Sequence, residues 1–297
     1  MRVGLFTDSL EHLSLDEVLS WLEQEAPAIR DLEIGTGGYS PTPHCDLESL
    51  LSDVSERTRW LDALTRRGFR LAALNVSGNP LEIAGHDRDL RGTIELAGLI
   101  GVDRIVCMSG GRASLSAGGW FPGVEHQVDL YWRNTVLPYW RETAEMAAAH
   151  EGLRLCFELE PGAAVYNVTT FERVAAASPN LAVNLDPSHL FWQSMDPLTV
   201  VRRLDGRIGF AHGKDTTLYH ERVALDGALD RSSWRFATVG DGHDVTWWRT
   251  FTEALRAVGY DDIVSIEYED PTRPSERSVL EAARALAEAL TTESSAG

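Results

Sequence analysis

The stretch Leu181-Ala-Val-Asn-Leu-Asp-Pro-Ser-His189 decides the fold. Its apolar run, Leu181 to Leu185, reads as a buried strand that stops abruptly at a carboxylate (Asp186), a proline and an imidazole (His189). Three more runs end in the same way. Leu153-Arg-Leu-Cys-Phe157 leads into Glu158-Leu-Glu160-Pro161, Arg207-Ile-Gly-Phe-Ala211 into His212-Gly-Lys-Asp215, and Asp262-Ile-Val-Ser-Ile266 into Glu267-Tyr-Glu-Asp270. Carboxylates and imidazoles at the C-terminal ends of successive strands are what an α/β barrel uses to build one site at its mouth.

The rest of the chain keeps the same alternation. Apolar runs recur near 2–6, 31–35, 70–75, 103–108, 153–159, 181–186, 207–212 and 262–267. Amphipathic stretches lie at 14–25, 47–67, 85–100, 127–149, 168–178, 197–204, 245–258 and 274–290. Eight strand–helix units with no low-complexity linker predict a (β/α)8 TIM barrel, one domain over residues 1–290, with 291–297 a frayed tail. The competing doubly wound sheet needs a glycine-rich turn after its first strand, and Phe6-Thr-Asp-Ser-Leu-Glu11 stands there instead. Ser14-Leu-Asp-Glu17 and Thr169-Thr-Phe-Glu172 read as capping boxes that start helices. The loops at 109–126 and 213–244 exceed what the connections need, and long loops at a barrel mouth shape or cover the substrate.

Composition narrows the function. With 297 residues and 43% apolar content the chain can fill one large core. A net charge of -18 and the lack of a basic groove argue against nucleic acid. The pairs Arg66-Arg67 and Arg202-Arg203 fall in helical stretches and read as solvated faces. Cys45, Cys107 and Cys156 are odd in number and widely spaced, so buried free thiols are expected. Met1-Arg-Val-Gly-Leu-Phe6 enters a strand at once, and no run of about 18 apolar residues occurs, which predicts a soluble cytoplasmic protein with no membrane partner.

Residues two apart in a strand point the same way, so Glu158 and Glu160 share a direction, as do Glu267 and Glu269. A single strand-end carboxylate is more often a helix cap or a surface charge. Four metal-competent groups, Glu158, Asp186, His212 and Glu267, on strands five to eight change that reading. Unneutralised, the three carboxylates repel one another strongly in a site of low dielectric, and a divalent cation is the simplest neutraliser. His189, three residues after Asp186, can ligate or can hydrogen-bond substrate beside the metal; the second is preferred because four ligands leave room for two substrate oxygens.

These residues carry a resemblance. Asp186-Pro-Ser-His189, then His212-Gly-Lys-Asp215 and Ser265-Ile-Glu267, resemble the xylose-isomerase-like barrel superfamily. Within it they are most similar to the sugar isomerase/epimerase branch, with its ketose 3-epimerases and inosose-processing enzymes. Glu33-Ile-Gly-Thr-Gly37 and Leu74-Asn-Val-Ser-Gly-Asn-Pro80 agree, so the resemblance spans nearly the whole chain. It implies one Mn²⁺ (or Mg²⁺ or Co²⁺) held by Glu158, Asp186, His212 and Glu267. It implies that Glu158 and Glu267 exchange protons with substrate carbon while His189 polarises a substrate oxygen. Some relatives carry a histidine two residues after the first ligand; Glu160 stands there in this chain and adds negative charge near the mouth.

On this reading the substrate is a carbohydrate. Trp120, Phe121 and Trp192 can stack on a sugar face, loop packing or a subunit contact being the equal alternative. His44, Asn75 and Lys214 are candidate hydroxyl binders, although Lys214 can instead pair with Asp215 or a site carboxylate. The expected reaction is proton transfer through an enediolate on an unphosphorylated ketose, keto-sugar or inosose, by a barrel that can form a homodimer. Metal-assisted elimination from a keto-glycoside, which would make the enzyme a lyase, starts with the same step. A protein that only binds sugar has no need of two bases.

Overall fold

Every residue of the strand at 181–185 is buried, as a strand covered on both faces must be. The structure is a computed structural model that describes residues 1–115 and 124–291. In chain order the strands are β1 (Arg2–Phe6), β2 (Asp31–Gly35), β3 (Arg70–Asn75), β4 (Arg104–Cys107), β5 (Arg154–Glu158), β6 (Leu181–Leu185), β7 (Ile208–Gly213), β8 (Asp215–Leu218), β9 (Trp234–Ala237) and β10 (Ile263–Ile266). Eight of them close into a parallel barrel in the order β1-β10-β7-β6-β5-β4-β3-β2. Closure is made by β1, which pairs with β10 on one side and β2 on the other.

Period-two alternation sorts the side chains. One set points outward and meets the helices. Helix Val245–Ala257, for example, buries Trp248, Phe251 and Leu255 in the large outer core. The other set fills the interior in layers. Ala73, Val106, Cys156, Ala182, Phe210 and Ile263 form a separate apolar plug. Two residues further along the same strands stand Asn75, Glu158, Asn184, His212 and Ser265, all buried and all polar. The plug closes the barrel below, and the polar layer makes the floor of the mouth.

The structure refines several sequence expectations. The helical stretch 47–67 is two helices, Leu47–Ser52 and Val54–Thr65, because Asp53 adopts extended backbone and caps the second with its carboxylate. The stretch 127–149 is helical but passes through a π-turn at Trp132–Val136, just before Pro138, which has no amide proton to give the ladder. The capping box at Ser14–Glu17 is present. The one expected at Thr169–Glu172 is not: Asn167 caps helix Val168–Ala175, bonding the Thr170 amide at 2.9 Å while its own amide donates to Thr170 Oγ1 at 3.1 Å. The long loop at 213–244 contains the antiparallel hairpin β8–β9, which lies outside the barrel sheet. The three cysteines are buried and free. No helix among the described residues is long and apolar enough to cross a membrane.

Candidate active site

The polar layer and the residues just beyond it converge at the C-terminal end of the barrel. Ligand-competent atoms of Glu158, Asp186, His212 and Glu267 lie within 4.8 Å of one another. Each comes from a different strand, β5, β6, β7 and β10, which are consecutive around the ring. The Nδ1 atom of His212 faces this cluster, 3.1 Å from Glu267 Oε2 and 3.7 Å from Glu158 Oε2. Its Nε2 faces the other way and lies 3.1 Å from both oxygens of Glu33. Burial alone would lower the His212 pKa, but Glu33 and Glu267 more than offset this and hold it well above the ordinary value.

Lys214 is fully buried among the acids. Its Nζ lies 2.6 Å from Glu267 Oε2, 3.1 Å from Asp186 Oδ2, 3.3 Å from Glu269 Oε1 and 3.9 Å from Glu158 Oε1. Burial opposes its charge, and the surrounding carboxylates overcome that and raise its pKa. Glu267 shows the reciprocal effect: burial would raise it, while Lys214 and His212 lower it strongly. His189 donates from Nε2 to Glu158 Oε1 at 2.7 Å and sits 3.5 Å from Asp186 Oδ2. Its pKa is raised, since the carboxylates outweigh both burial and Lys214.

A divalent cation fits this group. Three carboxylates and one imidazole nitrogen are a hard, oxygen-rich donor set suited to Mn²⁺, Mg²⁺ or a similar ion. Asp186 Oδ2 is buried and, although the Lys214 ammonium lies 3.1 Å away, makes no well-directed hydrogen bond with any described residue. Because Glu33 takes the Nε2 proton of His212, the Nδ1 lone pair is the one available to a metal, the outer-shell arrangement that orients metal-binding histidines. Sequence reasoning had not assigned Glu33 this role. The signal was present in Asp31-Leu-Glu33, whose two acids share the inward face. Asn75 and Ser265 hold Glu33 in turn, donating to it at 2.7 Å each. Asn184 was missed as well; its amide lies 3.3 Å from Glu158 Oε2 and 3.2 Å from His212 Nδ1.

A cavity of about 520 Å³ opens above the cluster, and Glu158, Glu160, His189 and Glu267 line it. Glu160 points into it, and burial pushes its carboxyl up to about 7. Trp192 lines one wall, stacked on Trp234 of the hairpin at 4.6 Å. Asn75 touches the cavity, but both ends of its amide are used, toward Glu33 and the Ser77 backbone. Lys214, between β7 and β8, pairs with the carboxylate cluster and not with Asp215. Asp215 instead accepts from the amides of Gly240, Gly242 and His243 and the indole of Trp248. His44 lies outside the cavity, and its ring nitrogens are taken by Thr7 Oγ1 and the Leu13 carbonyl, each at 2.9 Å. Trp120 and Phe121 lie outside the described residues.

Comparison with known proteins agrees with this fold. The chain is 34% identical, over 98% of its length and 99% of the other's, to the uncharacterized protein YfiH of Bacillus subtilis (strain 168). Its fold superposes on the probable 3-DHS dehydratase AsbF of Bacillus anthracis (TM-score 0.69, 16% identity, 97% and 99% of the two chains covered). It superposes equally on IolI with a bound zinc atom (TM-score 0.69, 18% identity, 97% and 98% covered). Ketose 3-epimerases are among the other barrels that share the fold. Residues 33–289 match the family described as xylose isomerase-like TIM barrel, and the chain belongs to that family.

Proposed function

We propose that the protein is a divalent-metal-dependent sugar isomerase or epimerase that moves a proton at a carbon beside a carbonyl of an unphosphorylated ketose, keto-sugar or inosose. The observation that carries this reading is the placement of Glu158 and Glu267 in one buried ligand set, on strands β5 and β10, three steps apart around the ring. Two carboxylates approaching a bound sugar from different sides are what inversion or 1,2-transfer of a proton requires. A divalent ion bound there, Mn²⁺ in the first instance, supplies Lewis-acid polarisation of the substrate carbonyl and its neighbouring hydroxyl.

The remaining steps belong to side chains. Glu158 takes the proton from carbon, and its hydrogen bond from His189 steadies it for that. On the other side Glu267, held as a carboxylate by Lys214 at 2.6 Å, first takes a proton from solvent and then delivers it to carbon. Return to the same carbon inverts it; return to the next carbon isomerises the sugar. Lys214 is already paired with carboxylates, and the loop Glu267-Tyr-Glu-Asp-Pro-Thr272 is acidic and lacks the glycines of phosphate-binding barrels, which supports an unphosphorylated substrate; the cation lining the cavity wall among the described residues is Arg231, on the hairpin side.

The test is solvent-deuterium incorporation into ketoses, inososes and 3-keto-glycosides with Mn²⁺ present, using wild type, Glu158→Gln and Glu267→Gln. Both variants are expected to lose turnover, with metal content measured alongside. If both keep their metal and one turns over at nearly the wild-type rate, the two-base mechanism is wrong. Loss of an aglycone from a keto-glycoside would replace isomerisation by elimination. Tighter binding of a sugar phosphate than of its parent sugar would remove the unphosphorylated assignment.

A further inference from the structure

The cavity has a second polar edge, on the opposite side of the barrel from Glu158. β1 lies four strands from β5 in the ring, and Asp8 follows β1 in the short 3-10 turn Thr7–Leu10. Its carboxylate lines the cavity. One oxygen, Oδ2, accepts from the Ser40 hydroxyl. The other, Oδ1, is shielded from bulk solvent and has no hydrogen-bond partner among the described residues. The space it occupies is made by Gly35: a Cβ there would come within 2.6 Å and 2.9 Å of the two oxygens.

Ser77 repeats the pattern. It lines the same cavity from the loop after β3, and its Oγ is also buried and without a partner among the described residues. The two residues are tied together by consecutive positions of the loop after β2. The Tyr39 amide donates to the Ser77 carbonyl at 2.8 Å, and the neighbouring Ser40 hydroxyl goes to Asp8.

Buried polar groups are normally satisfied, and an orphaned carboxylate oxygen is costly. Two orphans on one cavity wall, one an acceptor and the other a hydroxyl that both donates and accepts, match the groups along a sugar chain. Burial pushes the Asp8 pKa up to about 6, and the single hydrogen bond from Ser40 offsets this only in part.

We infer that Asp8 and Ser77 form a specificity edge that receives the hydroxyls of the substrate remote from its reacting carbons. Asp8 accepts from one hydroxyl and Ser77 pairs with another. The inference rests on the proposed sugar chemistry, and it names which end of the polyol the β1–β3 side of the mouth recognises.

The test uses Asp8→Asn and Ser77→Ala in the full-length, metal-loaded protein, with three readouts. The first is thermal stability without sugar. An orphaned buried carboxylate costs stability, so Asp8→Asn should melt no lower than wild type; a clear fall in Tm would assign Asp8 to structure and overturn the inference. The second is kinetics on whichever ketose the wild type exchanges with deuterium. KM should rise about ten- to a hundredfold for Asp8→Asn, with kcat affected less. The Asp8→Asn penalty should vanish on the analogue lacking the contacted hydroxyl. Unchanged KM in both variants overturns the inference. The third separates it from the proposed reaction. If wild type exchanges no compound in the panel, the isomerase reading falls, and xylitol is titrated by calorimetry. Binding weakened tenfold or more in Asp8→Asn sustains the edge; equal binding, or none to wild type, ends it.

Discussion

Both ends of the barrel carry ionic clusters on the inward faces of the strands, and the two are built differently. At the N-terminal end Asp31 accepts from Arg2 at 3.0 Å and from Arg70 at 2.6 and 2.8 Å, while Asp262 pairs with Arg2 at 2.7 Å and with Arg104. Two acids meet three guanidinium groups, so every oxygen has a donor. At the C-terminal end Glu158, Glu160, Asp186, Glu267 and Glu269 meet one lysine and two histidines. The balanced cluster closes the bottom of the barrel. The other cluster is compensated by Lys214 and by two histidines whose pKa values its carboxylates raise, and a divalent cation is the alternative counter-charge. Substitutions at the two ends should therefore fail in different ways.

The largest effect is expected at His212. His212→Ala removes the one nitrogen of the proposed ligand set and should cost metal and turnover together, with deuterium exchange falling roughly 10³-fold or more. Full metal occupancy in that variant, by elemental analysis, would mean that the imidazole is not a ligand. Asp31→Asn should do the reverse. It breaks charge-assisted bonds to two half-exposed arginines and should lower stability by about 2 kcal/mol in urea denaturation. Metal content and exchange should stay as in wild type; a loss of metal would show that the two ends are coupled through the plug.

Glu33→Gln tests the layer between them. It weakens the proton acceptor that sets the His212 tautomer, and metal affinity should fall about 10- to 100-fold while the fold survives. Unchanged affinity, measured by competition with a chelator, would make Glu33 a packing group. The smallest effect concerns Asp270, the one carboxylate of the Glu267–Asp270 loop that is fully satisfied, by Thr238, Thr272 and Arg235. Burial raises its pKa, but these bonds prevail and hold it at about 2, below the ordinary 3.8. A depressed carboxylate contributes stability that is present above about pH 4 and lost as pH falls through about 2. The adjoining loop faces solvent, which screens the gain to about 1 kcal/mol. The stability gap between wild type and Asp270→Asn should narrow from pH 7 to pH 3; a gap that stays constant would show that the carboxylate's charge is not what stabilises this loop.

The chain by itself determined a good deal. Each strand end could be read locally, because the apolar run, the period of two and the abrupt polar stop all lie within about ten residues. That was enough to mark Glu158, Asp186, His212 and Glu267 and to place them on four consecutive strands, and the barrel brings all four within 4.8 Å. Local reading could not say what a residue touches across the ring. His44 and Asn75 looked like free polar groups near strand ends; tertiary contacts consume both, one in Thr7 and Leu13 and the other in Glu33. Asp31 and Glu33 share one strand and one face, yet one meets arginines at the bottom and the other a histidine at the floor of the mouth. Their partners lie up to 232 residues away. Sequence fixes which way a side chain points, because direction follows from the backbone period. Its partner is decided only when the ring closes, since strand order and register determine which distant groups share a layer.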